Sequence, residues 1–218
     1  MGMFDDQFGD VANFNVDMHS MRENLLFLTE GKEFDFTFYE NLFNKLDCYA
    51  GLNLIDFYIL HKYIQKRNIK KVTELGCGST SVFLDSISIK RESFAMDQAL
   101  TSTKNTVNFN KCNIYESADK INESCKDSDL ILIDSQHSRS MASFYYKNIL
   151  MNNHLPVFLH DFMAPGKQTY SEQIFWVRYL LNKKYKLFIA TDCLFPDQIY
   201  KISRDVPPVS AIFEPINK

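Results

Sequence analysis

The spacing of apolar residues changes period repeatedly along the chain. Leu54, Phe57, Leu60 and Ile64 recur at helical intervals within Asn53–Lys66, and the run stops near Asn68, before Lys70 and Lys71. Short apolar runs then alternate with helical patterns. Strands are predicted at Lys71–Leu75, Ser93–Asp97, Asn113–Glu116, Leu130–Asp134 and Pro156–His160, with helices at Ser79–Ser88, Ala99–Phe109, Asp119–Cys125 and Ser138–Met151 between them. Parallel strands need crossover connections, which are usually helices, so this alternation predicts an α/β fold with a doubly wound, mostly parallel sheet.

The two ends of the chain read differently. After a helix predicted at Tyr170–Asn182, with Ile174, Val177 and Leu181 on one face, two apolar stretches follow, Lys186–Ala190 and Gln198–Ile202. No helix separates them, which predicts a terminal antiparallel strand pair. Residues 1–50 are rich in Phe and acidic side chains, carry one helix candidate near Phe36–Leu46, and read as an N-terminal arm or lid before a domain of residues 51–218. No repeat, low-complexity tract or linker divides that domain.

Composition narrows the class. With 218 residues, 45% hydrophobic and 23% charged, the chain can bury one sizeable core. A net charge of −3 gives no broad positive field, so nucleic acid is not an expected partner. The basic cluster Lys62, Lys66, Arg67, Lys70, Lys71 reads as a solvated face. Five cysteines without a C-x-x-C pair match neither a disulfide framework nor a zinc site and point to reduced thiols in the cytoplasm. Neither a signal peptide nor a run of 18 apolar residues is seen, so no membrane partner is expected, and Asp6 stands where a myristoylation motif after Gly2 needs Ser or Thr.

The candidate chemistry begins at Val72-Thr73-Glu74-Leu75-Gly76-Cys77-Gly78-Ser79-Thr80, where a buried strand ends in two glycines and a helix opens on hydroxyl residues. Glycine permits a sharp turn and close backbone approach to a ligand. Asp97 ends the next predicted strand, 21 residues after Gly76, near the ~20 at which a carboxylate accepts from ribose hydroxyls. The bland reading is a packing turn, with Asp97 capping the next helix. A dinucleotide fold usually has a third glycine where this chain has Thr80, and Glu74 would repel a pyrophosphate. A cationic ligand suits that acid better, and a nicotinamide-dependent oxidoreductase is disfavoured.

On these residues the chain resembles the class I S-adenosylmethionine-dependent methyltransferases: Glu74-Leu75-Gly76-Cys77-Gly78 is similar to their motif I and Asp97 to their ribose-binding acid, over roughly residues 50–202. The resemblance implies a Rossmann-like sheet. It also implies that Glu74 supports the glycine loop and the amino group of the methionine moiety, that Gln98 lies beside the ribose, and that Ser117 and Ala118 meet the adenine edge. Thr80 departs from the family's third glycine.

A second cluster sits at the ends of the fourth and fifth predicted strands, Asp134-Ser135-Gln136-His137-Ser138 and His160-Asp161. Neighbouring strands lie ~4.8 Å apart and ligands bind outside their carboxyl ends, so the two groups should converge. They resemble the I-D-x-x-H-S and H-D signatures of methyltransferases that modify sugars and other small hydroxylated metabolites. That resemblance implies Asp134 and Asp161 as candidate magnesium ligands, with His160 a weaker one because magnesium prefers oxygen donors. His137, with Asp134, is then the catalytic candidate, since imidazole can take a proton from an acceptor hydroxyl. Alternatively Asp134 only binds the methionine amino group, Ser138 caps the following helix, and His137 bonds to backbone. The loop 162–167 and Tyr170, Glu172 and Gln173 are candidates for shaping acceptor choice. The expected activity is methyl transfer to a small metabolite, most simply at a hydroxyl. N-methylation and a non-catalytic binding or assembly role remain alternatives, and the aromatic arm is a candidate homodimer contact.

Overall fold

The computed structural model describes residues 37, 38, 41, 54–97, 107–135, 138–160, 185–189 and 210–215. Within them the chain runs α1 (Leu54–Arg67), β1 (Lys71–Leu75), α2 (Ser79–Ser86), β2 (Lys90–Ala95), β3 (Asn110–Lys111), α3 (Ala118–Cys125) and β4 (Leu130–Ile133). It continues through α4 (Arg139–Tyr145), β5 (Val157–Leu159), β6 (Tyr185–Ile189) and β7 (Ala211–Pro215). These strands form one sheet in the order β3-β2-β1-β4-β5-β7-β6. β7 runs antiparallel to both its neighbours, and the pairings from β3 through β5 are parallel.

Alternation along each strand sorts the apolar side chains into two layers. Leu75, Phe94, Ile131, Ile133, Val157, Leu159 and Phe213 pack on one face with Ile121 of α3 and Met141 and Tyr145 of α4. Val72, Leu130, Leu132, Phe158 and Ile212 pack on the other with Phe57, Leu60 and Ile64 of α1 and Phe83 and Leu84 of α2. Thr73 is the polar exception on the α3 face, and its hydroxyl is bonded to Ser124 at 2.9 Å and Ser128 at 2.8 Å. α1 is pinned to the last strand: Glu214 accepts from Arg67 at 2.6 Å and from the Tyr63 hydroxyl at 3.0 Å, and buried Asp56 accepts from the Ser210 N–H at 3.0 Å. Elsewhere in the basic cluster, Lys71 pairs with Asp127 at 2.6 Å.

The mostly parallel sheet and its antiparallel end agree with the pattern-based expectation, while several elements differ, among them the second strand, expected at Ser93–Asp97 and found at Lys90–Ala95. The strand expected at Asn113–Glu116 is a 3-10 turn at Ile114–Glu116, and β3 lies just before it at Asn110–Lys111. Asn113 causes this by accepting from the Tyr115 N–H, an Asx-type cap that diverts the backbone from extended geometry. The helix expected at Ser138–Met151 changes at Tyr146 into a π-helical segment, Tyr146–Leu150. The strand antiparallel to β6 is Ala211–Pro215, which the apolar pattern had not singled out; the predicted strand at Gln198–Ile202, the helix at Tyr170–Asn182, and most of the helix at Ala99–Phe109 lie outside the described residues. Val107, Asn108 and Phe109, at the end of that last prediction, are not helical. No helix among the described residues is long and apolar enough to cross a membrane.

Candidate functional site

β1 ends one residue before Gly76, whose N–H donates to the Phe94 carbonyl of β2 at 2.9 Å. Gly76 has φ +115°, a conformation that strains any residue with a Cβ, and a Cβ built there would lie 1.9 Å from the Asp134 carbonyl oxygen. The Asp134 N–H in turn donates to the Leu75 carbonyl at 2.8 Å. The glycine thus lets β1 and β4 come together just where both strands finish.

Glu74, one residue before the end of β1, points to the α1/α2 face and is 1% exposed. Its neighbour in register on β2 is Ser93, and two residues earlier Arg91 lies on the same face. Glu74 Oε2 accepts from the Ser93 hydroxyl and from the Ser81 hydroxyl of α2, the latter at 2.8 Å. The Ser81 hydroxyl also accepts from the Gly78 N–H at 3.1 Å. Burial pushes the Glu74 carboxyl up to about 7; the Ser93 and Ser81 hydroxyls and the Arg91 guanidinium hold it down, and Asp134 adds to the rise. Cys77 is buried, with its thiol pushed up by burial, so it contributes backbone to the turn and no reactive thiolate.

Two features of the turn fit an adenosyl ligand. The Ser79 hydroxyl, in the first turn of α2 directly after Gly78, is buried without a hydrogen-bond partner among the described residues. Past the end of β2, Met96 is 62% exposed, and the Asp97 carboxylate beside it is exposed and pairs with Lys111 at 3.1 Å. An apolar surface next to an accessible acid suits a base and a ribose. Ser117 is the N-terminal cap residue of α3; it is buried and its hydroxyl donates to the Asn113 carbonyl at 2.8 Å, while Ala118 packs against the core.

The second cluster converges in part. β4 and β5 are parallel neighbours, and the His160 N–H continues their ladder to the Ile133 carbonyl at 3.0 Å. His160 Nδ1 lies 2.9 Å from Asp134 Oδ1, and the Thr80 hydroxyl donates to Asp134 Oδ2 at 3.1 Å. Both oxygens of Asp134 are therefore engaged by protein groups, and the near nitrogen of His160 is turned to Asp134. A divalent ion there would have to share oxygens of Asp134 that already have protein partners, and the third candidate ligand, Asp161, lies outside the described residues. Ser138 caps α4 by accepting from the Met141 N–H at 3.1 Å, and Ser135 is bonded to the Tyr145 hydroxyl at 2.6 Å. Gln98, His137 and Asp161 lie outside the described residues.

The sequence pattern missed Arg91, Ser93, Ser81 and the Thr80 hydroxyl. Arg91 and Ser93 are separable from ordinary surface residues only through the β1–β2 register, since they alternate on the face that Glu74 occupies.

No protein-family model and no curated protein matches the sequence. Solved structures do match. The candidate caffeoyl-CoA O-methyltransferase of Staphylococcus aureus superposes with a TM-score of 0.53 at 14% identity, covering 88% of this chain and 97% of that one. The chain has the class I methyltransferase fold. The O-methyltransferase from Bacillus cereus in complex with SAH gives 0.51 at 10% identity, over 90% of this chain and 98% of that one. TomG from Streptomyces achromogenes, an O-methyltransferase of tomaymycin synthesis in complex with SAM, gives 0.51 at 9%, over 92% and 100%. Identities this low speak for the shared architecture alone.

Proposed function

We propose that the chain is an S-adenosylmethionine-dependent methyltransferase that acts in the cytoplasm on a hydroxyl of a small metabolite, a sugar or a similar compound. The observation that carries this is the positive-φ Gly76 turn over a buried acid, Glu74, beside an exposed acid, Asp97, past the end of the adjacent strand. An acid beneath the loop favours a cation over a pyrophosphate. In this reading the Gly76–Gly78 backbone and Ser79 meet the methionine moiety, Asp97 accepts from the ribose, Gln98 lies beside it, and Ser117 and Ala118 border the adenine. Fold neighbours that carry SAH or SAM and match this chain almost from end to end support the same ligand.

When bound, that ligand supplies an electrophilic methyl group on a sulfonium. The chain's own work is orientation: the loop and Asp97 fix the nucleoside, and the ends of β4 and β5 border the space for the acceptor, so that attack is in line. In this reading His137 takes the proton from the acceptor hydroxyl, with Asp134, which Thr80 and His160 hold in place, as the second catalytic group. Residues 51–218 form the catalytic domain, and residues 1–50 are an arm that covers the site or joins two copies.

Calorimetry with S-adenosylmethionine, S-adenosylhomocysteine and NAD, followed by transfer of labelled methyl into a metabolite extract, tests the reading. Binding of both sulfur ligands and a labelled hydroxyl product, lowered about 100-fold in His137→Ala, is expected. Binding of NAD alone would overturn it.

A further inference from the structure

Arg91 lies next to the glycine turn, yet it belongs to none of the motifs in the sequence. Its side chain is 6% exposed, and it spreads its donors over three segments. Nε and Nη2 form a fork on the Asp85 carboxylate near the end of α2, at 2.9 and 2.7 Å. Nε also donates to the Ser81 carbonyl in the first half of α2 at 3.2 Å. Nη1 donates to the Ser93 hydroxyl at 2.5 Å and to the Asn108 carbonyl, just before β3, at 3.0 Å. The same Nη1 stands 3.7 Å from Glu74 Oε2, and the Ser93 hydroxyl donates its hydrogen bond to that oxygen.

We propose that Arg91 is a positioning residue for the ligand turn: its fork sets α2 against β2, and through Ser93 and Ser81 it fixes the aim and the charge of Glu74. The proposal rests on the methyltransferase reading, in which Glu74 supports, from beneath, the glycine loop and the cationic amino end of the methionine moiety. Several charges act on Glu74. Arg91 of β2 favours its anion, Asp134 past the end of β4 opposes it, Cys77 of the turn is neutral at ordinary pH, and Asp85 of α2 is already neutralised by the Arg91 fork. Two hydroxyls donate to the same oxygen, which leaves Oε2 an acceptor in either protonation state. Burial alone drives the carboxyl towards neutrality, and it settles at about 7 with the guanidinium in place. A small change in the field around Arg91 therefore changes the fraction of anion at neutral pH. Lysine keeps the charge but cannot reproduce a planar fork with extra donors to two carbonyls and a hydroxyl.

The test is calorimetric affinity for S-adenosylhomocysteine between pH 6 and 9, on the full chain, in wild type, Arg91→Lys, Arg91→Met and Arg91→Met in a Glu74→Gln background. Wild type is expected to bind more tightly as pH rises through the ionisation of Glu74. Arg91→Lys should weaken binding about 10-fold with the midpoint kept. Arg91→Met should weaken it further and move the midpoint up by about one pH unit. The Glu74→Gln background relieves the buried unpaired acid, keeps the comparison usable if Arg91→Met alone folds poorly, and should abolish the pH dependence. A residue of purely structural importance would lower affinity equally at every pH. A pH profile in Arg91→Met that superimposes on that of wild type would therefore overturn the proposal while leaving the functional reading intact. Failure of the wild type to bind S-adenosylhomocysteine would overturn both.

Discussion

Two carboxylates stand at the ends of adjacent parallel strands, Glu74 on β1 and Asp134 just past β4, and they have opposite surroundings. Glu74 is 1% exposed and its side chain is consumed by the protein beneath the turn, whereas the Asp134 side chain is 21% exposed and emerges at the rim. The register explains the contrast: Glu74 pairs with Leu132, two residues before Asp134, so one acid still lies inside the layered core and the other has left it. A shift of two residues, roughly 7 Å of strand, separates a group that braces the loop from one that reaches the rim.

The harshest way to break this arrangement is Gly76→Ala, because Gly76 is where the two strand ends touch. The added Cβ collides with the Asp134 backbone and demands a left-handed conformation, so a loss of about 4 kcal/mol or no folded protein is expected in urea denaturation. Next in size is the pair Glu74→Ala and Asp134→Ala. Removing Glu74 strips the acceptor from two buried hydroxyls and the counter-charge from Arg91, for about 3 kcal/mol; removing Asp134 should cost about 1 kcal/mol of stability and show mainly in ligand affinity. Equal stability losses in the two variants would erase the distinction.

The pH dependence separates the two acids in another way. The folded carboxyl of Glu74 lies near 7, above its unfolded value of 4.5, so the folded chain binds the extra proton between those limits. Its contribution to stability is therefore full below about pH 4.5 and declines as pH rises to about 7, by up to about 3 kcal/mol, then levels off. Subtracting the pH profile of Glu74→Gln from that of wild type isolates this term. A difference that grows with pH in that window would contradict the buried assignment.

How much of this was legible beforehand depended on how local the signal was. The glycine turn and the alternation that gives the sheet type follow from local patterns in the sequence. Ser138 as a cap is equally local, and the structure bears it out. β3 was misplaced because a side-chain cap at Asn113 outweighed strand propensity in a two-residue edge strand. β7 was missed because Ala211–Pro215 is short and ends in proline, so its strand character comes from pairing with β5 and β6. The brace under the turn was hidden for a related reason. Arg91 and Ser93 have no motif of their own, and their role arises only when β2 is set in register beside Glu74.

The smallest expected effects concern what holds Asp134 in place. Thr80 lies just past the glycine turn, in the first turn of α2, and its hydroxyl donates to Asp134. Thr80→Val removes that bond while keeping the shape, for about 1 kcal/mol of stability, and His160→Gln should do no more. Magnesium should do less still. With Oδ2 facing Thr80 and Oδ1 facing His160, an ion has to share oxygens that already have protein partners, so millimolar magnesium is expected to shift the melting temperature of the full chain by less than about 1 °C. A clear rise in wild type that disappears in Asp134→Asn would show that the ion wins this competition. It would also move Asp134 from a protein-bound acid to a metal ligand, and the contrast with Glu74 would then rest on charge as well as on depth.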